Sequence, residues 1–239
     1  MLNTDYKILT KALANRLKHT PPLLVHTDQT ACIPGRTITD NIRLIQDAIT
    51  YANETATPLA LISVDQLKAF DRVSHKFLFK TLQKFNFGPQ FQRWIRLLYT
   101  DVASSVKVNG SLTAFIPLQR GLQQGCALSM PLYVLTAEIL ATYIRSHPNI
   151  TGLQHPDSQP TISQYADDTT LLLADDISIT NGFKIFQACE EASGAKINLH
   201  KCKGLWCGSF RHRTDAPTDF DWTNTHLPDR SEERRVGKE

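Results

Sequence analysis

Apolar residues fall on a helical spacing at the start of the chain: Ile8, Leu9, Ala12, Leu13 and Leu17, with Lys7, Lys11, Arg16 and Lys18 between them. This predicts an amphipathic helix with a basic outer face over 6–17, stopped by Pro21-Pro22. A second helical run carries Ile42, Leu44, Ile45, Ala48 and Ile49 beyond the turn at Pro34-Gly35. Thr39 or Asp40 is its expected cap. Pro58 to Val64 is short and apolar, the pattern of a buried strand ending at Asp65. Helices are expected over about 75–85 and 89–101, then a hairpin over 104–117 that turns at Asn109-Gly110. A long apolar helix follows over about 128–145. Strands over 161–166 and 169–174 flank Ala166-Asp167-Asp168, since Asp tolerates tight turns. A further helix covers about 179–192, and Gly194 to Leu199 reads as a turn into a strand. Past about Phe210 the periodicity disappears.

Composition narrows this modestly. The chain has 239 residues, a net charge of +3 and a pI near 8.6, which permits a nucleic-acid partner without demanding one. Its five cysteines are scattered and odd in number, which fits a reducing compartment. His200, Cys202 and Cys207 lack the paired spacing of a zinc site. No uninterrupted apolar run is long enough to cross a membrane, and no signal-peptide pattern precedes the first helix.

The candidate chemistry is acidic. Asp167 and Asp168 repel each other, and burial would raise their pKa values; a divalent cation removes that cost. Taken alone, the pair reads more readily as ordinary turn residues. Asp65 closes a buried strand, where an unpaired charge is expensive, unless it caps the next turn or pairs with Lys68. Asp71 reads as a cap for the helix from about Ser74. Arg36 is either a solvated turn residue or a phosphate contact. The stretch from Arg120 to Ser129 holds Gly121, Gly125 and the paired Gln123-Gln124. It allows close approach of a backbone or base, with donors and acceptors to meet it. Asp175-Asp176 is an internal control, better read as the start of a helix.

Four pieces now stand in one order: Val64-Asp65 with Lys68-Ala69-Phe70-Asp71, then Gln124-Gly125-Cys126-Ala127-Leu128-Ser129, then Tyr165-Ala166-Asp167-Asp168, then Gly194-Ala195-Lys196-Ile197-Asn198. Together they resemble the reverse transcriptases of non-LTR (LINE-type) retrotransposons. The upstream run His26-Thr27-Asp28-Gln29, Ile33-Pro34-Gly35-Arg36 and Asp40-Asn41-Ile42 looks like the same family's fingers-side motif, and the similarity extends over about 2–205. The resemblance implies an α+β polymerase palm, an antiparallel sheet backed by helices, with part of the fingers. Residues 1–55 would be the fingers segment and 56–209 the palm. Residues 210–239 would lie outside the domain as a disordered tail, and 230–239 look like a translated sequencing adaptor.

The same resemblance implies roles. Asp65, Asp167 and Asp168 would hold two Mg²⁺ ions, with Mn²⁺ as a substitute, and the strands would bring Asp65 beside Asp167. Phe70 would lie under the sugar of the incoming nucleotide, with Gln124 and Gly125 against the new base pair. Lys196 or Lys201 would sit on the pyrophosphate side, and Arg36 would touch template or phosphate. The partners implied are an RNA template, a DNA primer and deoxynucleoside triphosphates, for an intracellular parent protein of cytoplasm and nucleus. Ala127 and Met130 depart from the family's prolines and loosen the loop. The triphosphate-gripping strands are expected to precede Leu2, and thumb, endonuclease and zinc knuckle to lie outside the chain. The 239 residues alone are therefore expected to be inactive. The alternative is an inactive remnant that at most binds nucleic acid. A nucleotidyl cyclase ranks third, and the Gln124-Gly125 loop argues against it.

Overall fold

The computed structural model describes residues 3–224. Helix α1 (Thr4–Leu17) is capped by the Asn3 side chain, which accepts from the Asp5 N–H. Pro21 and Pro22 do more than stop it: they open a short helix, α2 (Pro21–Leu24), because proline's fixed φ suits a first helical turn. Helix α3 (Ile38–Thr55) starts on a capping box between Thr37 and Asp40. The cap is thus Thr37, two or three residues ahead of the expected position. Strand β1 (Leu59–Val64) and a single turn, α4 (Ala69–Arg72), follow. Helix α5 (His75–Lys84) is capped by the Ser74 hydroxyl, while Asp71 belongs to α4. After α6 (Pro89–Tyr99) come β2 (Ala103–Ser104), β3 (Lys107–Val108), β4 (Ser111–Leu112) and β5 (Ile116–Pro117). Asn109 and Gly110 both take positive φ, 47° and 88°, the turn whose twist matches a hairpin.

The remaining elements are α7 (Ser129–Ser146), β6 (Ile162–Tyr165), β7 (Asp168–Leu173), α8 (Asp176–Ser193), β8 (Lys203–Cys207) and β9 (Asp221–Asn224). Asp175 caps α8 by accepting from the Ser178 N–H at 2.7 Å, so the second double acid is a helix start. The main sheet has the order β6-β7-β1-β8-β9. All pairings are antiparallel except β8 with β9. On one face Ile62, Leu171, Leu173 and Trp206 pack against Leu140 and Ile144 of α7 and Ile185 and Phe186 of α8. On the other, Leu59, Leu61 and Leu172 pack under Ala48 and Ala52 of α3. A further core joins Leu13 and Leu17 to Leu78, Ile95, Leu132 and Leu135. Residues before 56 therefore share cores with those after it.

Two expectations are corrected. The strand expected to follow Gly194 begins later, at Lys203. Gly194, at φ 84°, ends α8, and the Asn198 carbonyl then accepts from the Lys201 and Cys202 N–H groups, winding 199–201 into a 3₁₀ turn. The chain from 210 to 224 is also part of the fold. Phe220 is buried, and Trp222 stacks on Trp206 with centroids 3.9 Å apart. Trp222 lies over Gly204, where a Cβ would come within 2.3 Å of the indole. Apolar burial by two aromatics outweighs the polar run around them. Residues 225–239, with the adaptor-like segment, lie outside the described residues.

Candidate active site

β1 and β7 pair through Val64 and Thr169. One step further in the same register, Asp65 stands level with Asp168. The expected neighbour was Asp167. That residue instead forms, with Ala166, the turn that closes the Tyr165–Asp168 pair. Cross-strand partners share a face, and here it is the face that α3 covers only near Leu59. Ser63, Asp168 and Lys203 are left exposed on it. Burial first, then Asp167, then Asp65, hold the Asp168 carboxyl above the ordinary carboxylate range. Among the described residues no ion pair involves any of the three carboxylates. Nor do three or more acidic, His or Cys side chains close around a point that could hold a metal. The site is an open cluster of like charge, not a preformed cage.

The loop from Arg120 is strapped to α4. The Leu122 N–H donates to the Phe70 carbonyl at 2.8 Å, and Gln124 Nε2 lies 3.5 Å from Asp71 Oδ1. Phe70, Gln124 and Gly125 are thereby brought to one place. Gly125 has φ 76° with open space where a Cβ would stand. Phe70 is half-buried and stacks on Tyr133, whose hydroxyl donates to Gln66 Oε1 at 3.1 Å. Burial, then the charge of Asp167, push the Tyr133 hydroxyl far above its ordinary pKa. Sequence reasoning missed Tyr133 because it sits in an unbroken apolar helix.

The lysines separate. The Lys196 carbonyl accepts from the Leu67 N–H at 2.7 Å, tying its segment to the residues after Asp65, while its Nζ lies 3.8 Å from Glu190. Lys201 is exposed in the 3₁₀ turn. Lys203, which the sequence did not single out, pairs with Ser63 on the carboxylate face. Arg36 is used internally: its guanidinium donates to the carbonyls of Val25, His26 and Gln29. It locks the 25–36 loop, and most of its donors are spent there rather than on a template.

The loop that Arg36 locks reaches the acidic turn. Gln164 N–H donates to the Asp28 carbonyl at 2.8 Å and Thr30 N–H to the Gln164 carbonyl at 3.1 Å, so 28–30 runs alongside β6 through a single parallel bridge between Gln29 and Gln164. Gln29 is fully buried. Its Nε2 donates to the Ala166 carbonyl at 3.2 Å, and its Oε1 accepts from the Ala166 N–H at 3.0 Å. Asn41 adds bonds to Ser163 Oγ and the Gln164 carbonyl.

An antiparallel sheet with an acidic turn at the end of one strand and a third carboxylate beside it defines a polymerase palm. The chain belongs to the reverse transcriptase (RNA-dependent DNA polymerase) family, whose profile matches residues 1–224. It is 41% identical over 224 residues to the transposon TX1 uncharacterized 149 kDa protein of Xenopus laevis, covering 93% of this chain and 17% of that protein. It is 28% identical to the RNA-directed DNA polymerase from mobile element jockey of Drosophila melanogaster, over 64% of this chain and 16% of that one. The Pol polyprotein from retrotransposable element R2 of Popillia japonica is 26% identical over 73% of this chain and 28% of its own length. The chain thus spans less than a third of each of these relatives. Among solved structures, telomerase from Candida tropicalis bound to a telomeric RNA fragment superposes with a TM-score of 0.56 at 13% identity, covering 84% of this chain and 33% of that one. That likeness is one of fold. The LINE-type resemblance and the palm are both borne out.

Proposed function

We propose that this chain is the polymerase core of a LINE-type element protein, and that the protein carrying it extends a primer 3′-hydroxyl with deoxynucleotides on an RNA template. The observation that carries the reading is the trio Asp65, Asp167 and Asp168, gathered on an open face with no cation paired to it among the described residues. Uncompensated like charge costs stability, and its natural complement is a divalent metal. Mg²⁺, with Mn²⁺ as a substitute, fits the donor set: it takes one or two carboxylates and fills the rest of its shell with phosphate oxygens and water, so no closed cage is required. Two such ions would supply charge neutralisation at the reacting phosphate and a more acidic primer hydroxyl.

The chain's own groups do the positioning, which is most of phosphoryl-transfer catalysis. Asp65 and Asp168 present carboxylates from two paired strands, and Asp167 from the turn. Phe70, backed by Tyr133, offers a flat apolar face to the sugar. Gly125 lets the new base pair approach the backbone, and Gln124 offers hydrogen bonds beside it. Of the two lysines proposed for the pyrophosphate side, Lys196 is better placed, through its backbone tie to Leu67. We assign 1–55 to the fingers and the palm to 56–209, extended to 224. Primer extension on an RNA template by the protein carrying this chain tests the reading. Asp167→Asn is expected to lower the rate at least about 10²-fold, the size of a lost electrostatic contact to the transition state. Asp176→Asn, at a helix start, should leave it unchanged. Equal losses, or none from Asp167→Asn, would sink the proposal.

A further inference from the structure

The turn that carries Asp167 is built on a disfavoured backbone. Ala166 has φ 55°, a left-handed conformation that L-residues with a Cβ avoid. It is also buried, at 4% exposed, so its N–H and C=O cannot turn to water. Both are satisfied by one side chain, Gln29, which comes from a segment far away in sequence. Gln29 Oε1 also accepts from the Ala31 N–H at 3.0 Å, which fixes the amide's orientation from its own loop. That loop is in turn locked by Arg36 on the Gln29 carbonyl.

We propose that Gln29 is a positioning residue: its amide clamps Ala166 in the left-handed conformation and so aims the Asp167 and Asp168 carboxylates at their metal. The inference rests on the metal-binding reading of those carboxylates. The residue type follows from the chemistry. Ala166 presents one donor and one acceptor, and a primary amide answers both. Asn is one methylene shorter and would not span the distance from the 28–30 segment that Gln29 bridges. Glu would lose the donor and add a fourth negative charge beside the acidic turn. An apolar residue would leave two backbone groups buried and unpaired. The clamp also links the fingers-side segment 25–41 mechanically to the acidic turn. A shift of that segment moves the turn, because both ends of Ala166 are held by it.

Mn²⁺ titration followed by electron paramagnetic resonance, together with Ala166 amide exchange, tests the clamp. Gln29→Met keeps the volume and removes both bonds. It is expected to weaken Mn²⁺ binding about tenfold, the population equivalent of the left-handed penalty. It should also speed Ala166 amide exchange at least about tenfold while the Leu172 amide in β7 stays protected. Adding Ala166→Gly should restore most of the Mn²⁺ affinity, since glycine takes the left-handed region without the penalty. The amide should stay fast, because its acceptor is still missing. A merely structural role for Gln29 predicts no such rescue, and its absence overturns the clamp, as does unchanged affinity in Gln29→Met. Asp167→Asn separates the two layers. If it leaves Mn²⁺ affinity unchanged, the metal reading falls and the clamp is decided by Ala166 exchange alone. Where Gln29→Met does not fold, Gln29→Asn takes its place with the same expected outcomes.

Discussion

Phe70 lies nearly flat on Tyr133, with ring centroids 4.4 Å apart and planes 22° from parallel. The stack fixes the height and tilt of the Phe70 ring, which is what the proposed filter against the ribose 2′-hydroxyl needs. An apolar pocket alone rejects an added hydroxyl only about 10²-fold. Phe70→Ala is expected to raise ribonucleotide over deoxyribonucleotide incorporation by about that factor. Tyr133→Ala should raise it less, by freeing the ring to tilt, and Tyr133→Phe should leave it near wild type because the stack survives. Steady-state incorporation of matched ribo- and deoxynucleotides measures all three. An unchanged ratio in Phe70→Ala would place that ring in the core instead.

Charge at the site should oppose stability. The folded state holds the Asp168 proton more tightly than the unfolded chain does. The group's contribution is therefore fully present below the ordinary carboxylate pKa and is lost as pH rises through the raised value. Without divalent metal, Asp168→Asn should melt higher than wild type at neutral pH and show a flatter pH profile just above the ordinary carboxylate range. Thermal melts across pH check this. Adding Mg²⁺ should raise the wild-type midpoint more than the variant's. A variant that melts lower at neutral pH would contradict the mutual repulsion of the three acids.

Gly125 owes its identity to backbone angle alone. Nothing stands within 4 Å of where its Cβ would be, yet φ is 76°. Gly125→Ala should cost about 1–2 kcal/mol locally. It should slow extension more than it lowers the melting midpoint, because the strain falls on an exposed loop. Gly125→Asn should be milder than Gly125→Val, since Asn tolerates the left-handed region and a β-branched residue does not. Parallel melting and extension assays distinguish this from steric blockage, which would penalise Asn and Val alike.

The segment after Phe210 should be needed for stability. Gly204→Ala forces a methyl into the Trp222 indole and should cost about 1–3 kcal/mol, as overpacking does. Trp222→Ala should also destabilise. The double variant should be better than the sum, because removing the indole removes the clash. Urea unfolding of the four proteins gives the coupling directly, and simple additivity would mean that the Trp222–Gly204 contact is not formed.

What could be read in advance was local. The acidic turn stood out because two extended runs flank Ala166-Asp167-Asp168, and Asp175 betrayed itself by the helix it starts. Asn109-Gly110 announced its hairpin, since Asn-Gly suits the positive φ angles of a tight hairpin turn. Local misses were small shifts, such as the cap at Thr37 and the 3₁₀ turn after Gly194; the larger ones are at long range. Nothing local marks Gln29 as the partner of Ala166, since a polar residue in an irregular stretch looks solvated until β6 is placed beside it. Asp65 was matched with Asp167 where the register selects Asp168, because pairing register depends on every rung below it. Phe220 and Trp222 sit in a polar, acidic run too short to show a period. Their burial is decided by Gly204 and Trp206 on a neighbouring strand.

The central place of β1 has a consequence in time. Its partners β7 and β8 lie about a hundred residues or more further along the chain. At about 5–20 residues per second of synthesis, seconds pass between the emergence of Asp65 and that of Asp168. Through that interval Leu59, Leu61 and Ile62, apolar on both faces of the strand, have no sheet to join. Such distant pairings fold slowly, since the chain must close a long loop before any contact repays it. A chain cut short before β7 would therefore carry a sticky strand and no acidic turn, and only the arrival of β7 and β8 covers its apolar faces.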